Sequence, residues 1–300
     1  MPTSVPLPSV EQGCVVVPAP DRGPGNWAGA PHAFLDDGVY WVSYRVRRAI
    51  GPERADTRGV ETVVARSEDG ERLETVARIE RASFGADSFE RPCLVRRPDG
   101  GWRLYVCCAT PGSKHWWIEA IDADSPSGLP AGVRTVVFPG SDALAVKDPI
   151  VEAVAADAWR AWICCHPLTE PGEEDRMTTA CATSADGLSW DWHGDVLRPA
   201  PGTWDQRGAR ITTVLRSEPL VVLYDGRATA EENWFEKTGI ARARNGSLAP
   251  DPGGPAATSP YSDGALRYAT AVPLADGRTR FYFEAARRDG AHDLWTSVSS

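Results

Sequence analysis

Two stretches of this chain set ionisable side chains directly before a proline inside an otherwise apolar run. Ser88 to Cys108 reads SFERPCLVRRPDGGWRLYVCC, with Glu90 and Arg91 ahead of Pro92. Ala145 to Cys165 reads AVKDPIVEAVAADAWRAWICC, with Lys147 and Asp148 ahead of Pro149, 57 residues further on. A carboxyl group in a dry cleft can hold or release a proton at mild pH. A guanidinium fork grips a carboxylate or phosphate through paired hydrogen bonds. Glu90 and Asp148 are therefore candidates for proton transfer, and Arg91 and Lys147 for holding an anionic group. Charge at the start of a buried strand is costly unless it is paired or used, so some element must bring these residues together.

Both stretches belong to a longer repeat. A tight turn followed by an apolar, aromatic strand starts at Asp36 (DDGVYWVSYR), Pro98 (PDGGWRLYVCC), Ala155 (AADAWRAWICC), Arg216 (RSEPLVVLYDG) and Ala275 (ADGRTRFYFEA), at intervals of 62, 57, 61 and 59 residues. A strand-like run precedes each turn: PHAFL, PCLVRR, PIVEAV, ITTVLR and ATAVPL. A third run follows a polar loop: TVVARS, WIEAID, TACATS, TGIARA and LWTSVS. Asp-Gly and Asn-Gly turns between short β-rich runs are hairpin signals, and TVARIE, RTVVF and WHGDVL fit a fourth strand.

Five such units predict an all-β chain, a five-bladed β-propeller of four-stranded antiparallel blades. The last unit ends after its third strand, and CVVVP at Cys14 to Pro18 fits the missing one, an N-terminal strand that closes the ring. Blades then run over about 27–80, 88–138, 145–198, 207–251 and 264–300 plus 14–18, as a single domain over 1–300. A pair of β-sandwiches is the alternative, but it gives no reason for a sixty-residue period.

In a propeller the first strand of each blade lines a central channel and begins on the top face, where the second strand ends. The bottom turns of this chain are short and bland. The top loops are long and polar: VRRAIGPERADTRG, ATPGSKHWW, HPLTEPGEEDRM, DGRATAEENWFEK and EAARRDGAHD. Loops on a rigid scaffold are where function concentrates. The topology gathers Glu90, Asp148, Asp225 and Glu232 as carboxylates available for catalysis, with Glu231 beside them. It gathers Arg91, Lys147, His115, His166, Asp205, Arg207, Arg210, Arg267 and Trp27 as binding groups, near Arg227 and Lys114. Trp27, Trp116, Trp117 and Trp234 fit either stacking on a sugar ring or packing between blades.

The net charge of −9 and pI near 5.2 disfavour nucleic acid and anionic membrane as partners. No apolar run is long enough to span a bilayer, and MPTSVPLPSVEQGCVVVPAP lacks the basic and apolar regions of a secretory signal. Seven cysteines with two vicinal pairs and no C-x-x-C spacing read as small buried strand residues rather than a disulfide or zinc framework. The expectation is a cytoplasmic protein with a small-molecule partner and neither metal nor other cofactor.

With ERP and KDP at inner-strand starts, the chain resembles the arabinanase and xylosidase group of glycoside hydrolases, the invertase-type hydrolases and the mannoside phosphorylases. The resemblance implies a carbohydrate-active enzyme. It implies three carboxylates, one from each of the first three blades, acting as base, pKa modulator and acid. Here GAPHAF puts Ala30 where the base would stand. Glu90 lies one place before the expected position, which holds Arg91, and Asp148 stands where a glutamate is usual. Glu90 and Asp148 could still flank a scissile bond, with Asp205, Asp225, Glu231 and Glu232 open as substitutes for the missing base. Propeller phosphorylases hold inorganic phosphate with such cations, so an anionic substrate or co-substrate is also implied. A lyase, isomerase or cyclase, or a binding propeller without catalysis, remains an alternative. SADGLSW resembles the Asp-box turn of sialidase propellers and reads as a structural turn.

Overall fold

A computed structural model describes residues 5–50, 58–244 and 247–300. Part of the loop after Tyr44, and the Asn245–Gly246 turn, lie outside the described residues. Among the described residues, twenty strands and two short 3-10 turns, Arg81–Phe84 and Pro126–Ala131, make up the regular structure. Three separate antiparallel sheets have four strands each. One holds β6 (Cys93–Arg96), β7 (Trp102–Ala109), β8 (Trp116–Ala123) and β9 (Val133–Phe138). The next holds β10 (Leu144–Ala155), β11 (Ala158–Pro167), β12 (Thr178–Ser184) and β13 (Asp191–Leu197). The third holds β14 (Gly208–Ser217), β15 (Leu220–Arg227), β16 (Lys237–Arg244) and β17 (Ser247–Pro250).

The remaining eight strands form two further runs. One is β2 (Trp27–Asp36), β3 (Val39–Arg47), β4 (Glu61–Ser67) and β5 (Glu74–Glu80). The other is β18 (Leu266–Pro273), β19 (Thr279–Ala286), β20 (His292–Ser299) and β1 (Gly13–Val17), with Gly13 opposite Ser297 and Cys14 opposite Thr296. A single parallel bridge, Trp27 to His292, joins the two runs. The expected all-β architecture of four-stranded antiparallel sheets is what a propeller has. The first strands of the five runs neighbour one another in turn: β2 with β6, β6 with β10, β10 with β14, β14 with β18 and β18 with β2.

Local chemistry explains the strands. Asp37 (φ 49°) and Gly38 (φ 79°) both take the left-handed region, the type I′ geometry whose twist suits a two-residue hairpin. Apolar faces then pack between sheets: Tyr105, Cys107, Ile118 and Phe138 meet Val151, Trp159, Ile163 and Cys165. The cysteines of these strands are fully buried and form no disulfide; they pack as small residues, and Cys107 also accepts the Asp148 N–H at 3.1 Å.

Two turns tie neighbouring sheets. In SADG and SEDG the aspartate accepts backbone N–H bonds from the two residues after the glycine, and the serine hydroxyl accepts the glycine N–H. Each glycine carbonyl then accepts a tyrosine hydroxyl from a neighbouring four-strand run, Tyr105 onto Gly187 at 2.8 Å and Tyr282 onto Gly70 at 2.7 Å. Arg103 and Arg280 bond the backbone of the same turns. The structural reading of SADGLSW holds, and a side chain at either glycine would meet the arginine within 2.6 Å.

Candidate active site

Inner strands β2, β10 and β18 share one irregularity. Their pairing with the next strand slips at Gly29–His32, Lys147–Ile150 and Arg267–Thr270. Inside each slip sits a residue at positive φ: Ala30 (51°), Asp148 (51°) and Tyr268 (56°). Non-glycine residues resist this region by about 1–2 kcal/mol each, and such bulges re-aim side chains. The second strands supply a matching column: Arg45, Cys107, Cys164, Asp225 and Glu284 recur at the repeat intervals of 62, 57, 61 and 59 residues. Arg45 lies opposite Gly29, Cys164 opposite Lys147, Asp225 opposite Arg210 and Glu284 opposite Arg267. Gly29 is small for a reason, since a Cβ there would sit 2.2 Å from Glu284 Oε2.

These two sets lock into a chain of buried ion pairs. Arg45 donates to Glu90 and, at 2.9 Å, to Glu284. Arg267 joins Glu284, at 2.7 Å, to Glu236. Arg227 meets the other oxygen of Glu236 at 2.7 Å. Arg210 reaches Asp148 at 3.0 Å, Asp225 at 2.7 Å and the Tyr268 hydroxyl at 2.9 Å, with its guanidinium 3.8 Å above the Tyr268 ring.

Above this lattice, where first strands begin and second strands end, is a small cavity of ≈ 70 Å³. Seven cations line it (Arg45, Arg47, Arg58, Lys147, Arg210, Arg227, Arg267) against two carboxylates, Glu90 and Glu236. Trp27, Trp234, His166 and Tyr268 complete most of the wall. Burial opposes the Glu90 charge, yet Arg45, Lys147, Arg47 and Arg58 hold its carboxyl down to about 2. Glu236 behaves alike, held down to about 2 by Arg267, Arg210 and Arg227 against its burial. Asp225 goes the other way: burial pushes it up to about 6 despite Arg210. Burial and nearby cations keep His166 well below the usual histidine range, hence neutral.

The structure brings together Glu90, Lys147, His166, Arg210, Arg267 and Trp27 at the cavity, with Asp148 and Asp225 fully buried behind Arg210. Other expected residues are elsewhere. Arg91 is fully buried and spends its fork on the Pro31 and Thr212 carbonyls and the Thr270 hydroxyl, so it ties inner strands rather than facing the cavity. Asp205 accepts the Tyr224 hydroxyl at 2.7 Å inside a turn. Arg207 is held by Glu173 and Asp175. His115 bonds Thr110 and the Pro139 carbonyl. Glu232 accepts the Ala228 N–H at 2.7 Å and lies off the lining. Trp27 is only 2% exposed, with the His292 ring stacked at 5.1 Å and Arg47 at 4.2 Å, which leaves no open face for a sugar. Trp116 is covered similarly by Lys147 at 5.0 Å.

Nothing in their local sequence marks Arg45, Arg47, Arg58, Glu236, Glu284 and Tyr268 as site residues. Aligning the second strands of the repeat exposes Arg45 and Glu284, because ionisable residues alternate there with fully apolar ones. Among the described residues no group of three or more histidine, cysteine or acidic side chains could hold a metal ion.

No family model matches the chain, and no curated protein sequence does. Solved structures do. The β-1,2-mannobiose phosphorylase of Listeria innocua superposes with TM-score 0.66 at 14% identity, covering 97% of this chain and 92% of its own. A thermostable family-43 glycoside hydrolase gives 0.68 at 13% identity, with 95% and 91% covered. A glycosyl hydrolase from Bacteroides ovatus gives 0.62 at 13% identity, with 98% and 90% covered. The chain shares the fold of these enzymes. Those proteins are named for splitting glycosidic bonds; at such identities the likeness carries the fold, and function rests on the site.

Proposed function

We propose that this chain is a five-bladed propeller, closed as a ring by β1, in one domain over residues 1–300, and that it is a carbohydrate-active enzyme acting on a small anionic glycoside at the cavity between Glu90 and Glu236. The carrying observation is the cavity itself: two ionised carboxylates among seven cations, on a fold whose neighbours include hydrolases and a phosphorylase. Glu90 is the proposed base or nucleophile, since it is ionised at neutral pH and lines the space. Asp148 and Asp225, which share Arg210, are the proposed source of the proton, and Asp225 carries one at mild acidity. Glu232 has no part in this reading. The protein acts in the cytoplasm without metal or nucleic acid; no helix among the described residues is long and apolar enough to cross a membrane.

The cation excess favours a second reading, in which inorganic phosphate attacks in place of water. Product analysis on a panel of p-nitrophenyl glycosides and disaccharides, with and without phosphate, separates the two. Glu90→Gln should lower turnover about 10²–10⁴-fold while the fold persists. A folded Glu90→Gln with near-normal turnover would remove Glu90 from catalysis. Deleting residues 1–17 strips β1 from β20 and exposes an edge; an unchanged Tm would sink the closure.

A further inference from the structure

The five first strands enclose a second concave space, at the far end from Glu90. Its volume is ≈ 380 Å³, and every first strand contributes to its wall. Small-molecule sites commonly span about 300–1,000 Å³. Each strand gives it an apolar side chain: Phe34, Leu94, Ile150, Val214 and Ala271. Thr212 and Thr270, also of the wall, accept from the buried Arg91, whose tie across to the Pro31 carbonyl closes the inner end towards Glu90. Three ionisable side chains complete the picture. His32 is held neutral, since burial and Arg91 push it down to about 3, and its Nδ1 has no hydrogen-bond partner. Arg96 pairs with Asp36 at 3.8 Å and lies over Trp102 at 4.8 Å. Glu152 is half-buried, and burial pushes its carboxyl up despite Arg160. Among the described residues no cation is in ion-pair contact with Glu152. Arg160, opposite it across β10 and β11, lies over the Trp162 ring at 5.7 Å instead. A partly desolvated carboxylate without a counter-ion is unfavourable, and a bound cation would relieve it.

We propose that this space is a second ligand site, which takes a small primary amine with an apolar body. The apolar end lies inward against the girdle of five strands, and the ammonium lies outward on Glu152. Burying the body against that girdle supplies the hydrophobic gain. Charge selects the class. Glu152 carries the uncommitted charge of the wall, because Arg96 is already paired with Asp36. His32 stays neutral and does not repel a cation. The Arg91 charge at the inner end is balanced by Asp148 and Asp225 nearby. A carboxylic acid would meet repulsion from Glu152, and a neutral alcohol would leave that carboxylate without a counter-ion. The space equals about a dozen waters at ~30 Å³ each, which is ample for one ring and a short chain. It shares no side chain with the Glu90 cavity, so the proposal stands apart from the carbohydrate reading.

Calorimetric titration of the full chain with 2-phenylethylamine, 2-phenylethanol and phenylacetate, at neutral pH and fixed ionic strength, tests this. The three probes share a ring and differ in charge. The amine should bind roughly tenfold or more tighter than either analogue. Glu152→Gln should weaken the amine roughly tenfold, to the level of the alcohol. Ala153 is a half-buried residue of the wall; Ala153→Phe should fill the space and abolish binding of amine and alcohol alike. Ala153→Met serves if the larger ring prevents folding. Glu11→Gln removes an exposed carboxylate elsewhere and should leave affinity unchanged, which controls for general attraction to an acidic chain. No amine binding at about 10 mM, where even millimolar sites fill, overturns the site. Equal or tighter binding of the alcohol or the acid overturns the amine class. Unchanged amine affinity in both Glu152→Gln and the Ala153 variant places the amine elsewhere and also overturns the proposal. Glu90→Gln should bind the amine as the natural chain does, whatever its effect on turnover; a loss there would count against a separate site.

Discussion

The segments around Pro92 and Pro149 carry the same alternation with opposite charges. In each, the residue two before proline faces the cavity, Glu90 in one and Lys147 in the other. In each, the residue just before proline is fully buried beneath it, Arg91 in one and Asp148 in the other. The two buried residues even touch, since the Arg91 N–H donates to Asp148 Oδ1 at 3.2 Å. Position in the repeat therefore sets the layer a side chain occupies, while its charge decides what it does there. Arg91, with three carbonyl or hydroxyl acceptors, ties β2, β14 and β18. Asp148, in its left-handed bulge, holds Arg210.

The sharpest way to break this comparison is at the buried layer. Asp148→Asn keeps a residue that tolerates positive φ but leaves Arg210 one carboxylate short in a fully buried site. Removing one partner of a buried pair costs about 3–5 kcal/mol, so chemical denaturation should show a loss near the low end, because Asp225 remains. Lys147→Gln, one residue earlier, should change stability by less than about 0.5 kcal/mol. Equal losses from the two would erase the distinction between layers. Arg91→Lys comes next: an ammonium cannot reach all three acceptors, and about 1–3 kcal/mol should be lost.

Glu90→Gln sharpens the cavity layer through pH. The Glu90 carboxyl is depressed to about 2 in the fold, against about 4.3 in an unfolded chain. A depressed carboxyl contributes stability that is fully present above the unfolded value and is lost as pH falls through the folded one. The stability gap between the natural chain and Glu90→Gln should thus be flat from pH 7 to about 5, shrink below about 4.3, and vanish near 2. A gap independent of pH would mean that Glu90 acts by shape rather than charge.

Much of the strand plan is legible in the sequence, because each repeat writes a turn and an aromatic strand at a sixty-residue spacing. Charge directly before proline marks Glu90, Arg91, Lys147 and Asp148 as a group, but which of each pair faces the cavity and which lies buried beneath it is set by the bulge and the packing of the inner strands. Other parts are not legible. Asp205 and Arg207 precede β14 in sequence, but their chain folds into a turn under Tyr224, so nearness to the inner strand does not mean facing the channel. Arg45 and Arg47 hide in VSYRVRR, where only strand alternation separates them from apolar neighbours. Glu236 lies at the end of a loop whose path depends on packing against Arg227 and Arg267.

The smallest expected effect concerns the bulge, which the first repeat shares with the third. Asp148 offsets its left-handed strain with two ion-pairing and hydrogen-bonding partners, Arg210 and the Arg91 N–H. Ala30, at the equivalent place with the same φ of 51°, has only a methyl group. Left-handed backbone costs an alanine about 1–2 kcal/mol, while glycine loses about 0.4–1 kcal/mol more chain entropy on folding. Ala30→Gly should therefore stabilise the protein slightly, by between about 0 and 1.6 kcal/mol from these two terms, seen as a small rise in denaturation midpoint. Asp148→Gly, which relieves the same backbone strain, should still destabilise, because it also strips Arg210 of a carboxylate. If Ala30→Gly instead destabilises by more than about 1 kcal/mol, the methyl packing at this fully buried site outweighs the strain, and the bulge in the first repeat is held by contacts rather than tolerated in spite of its cost.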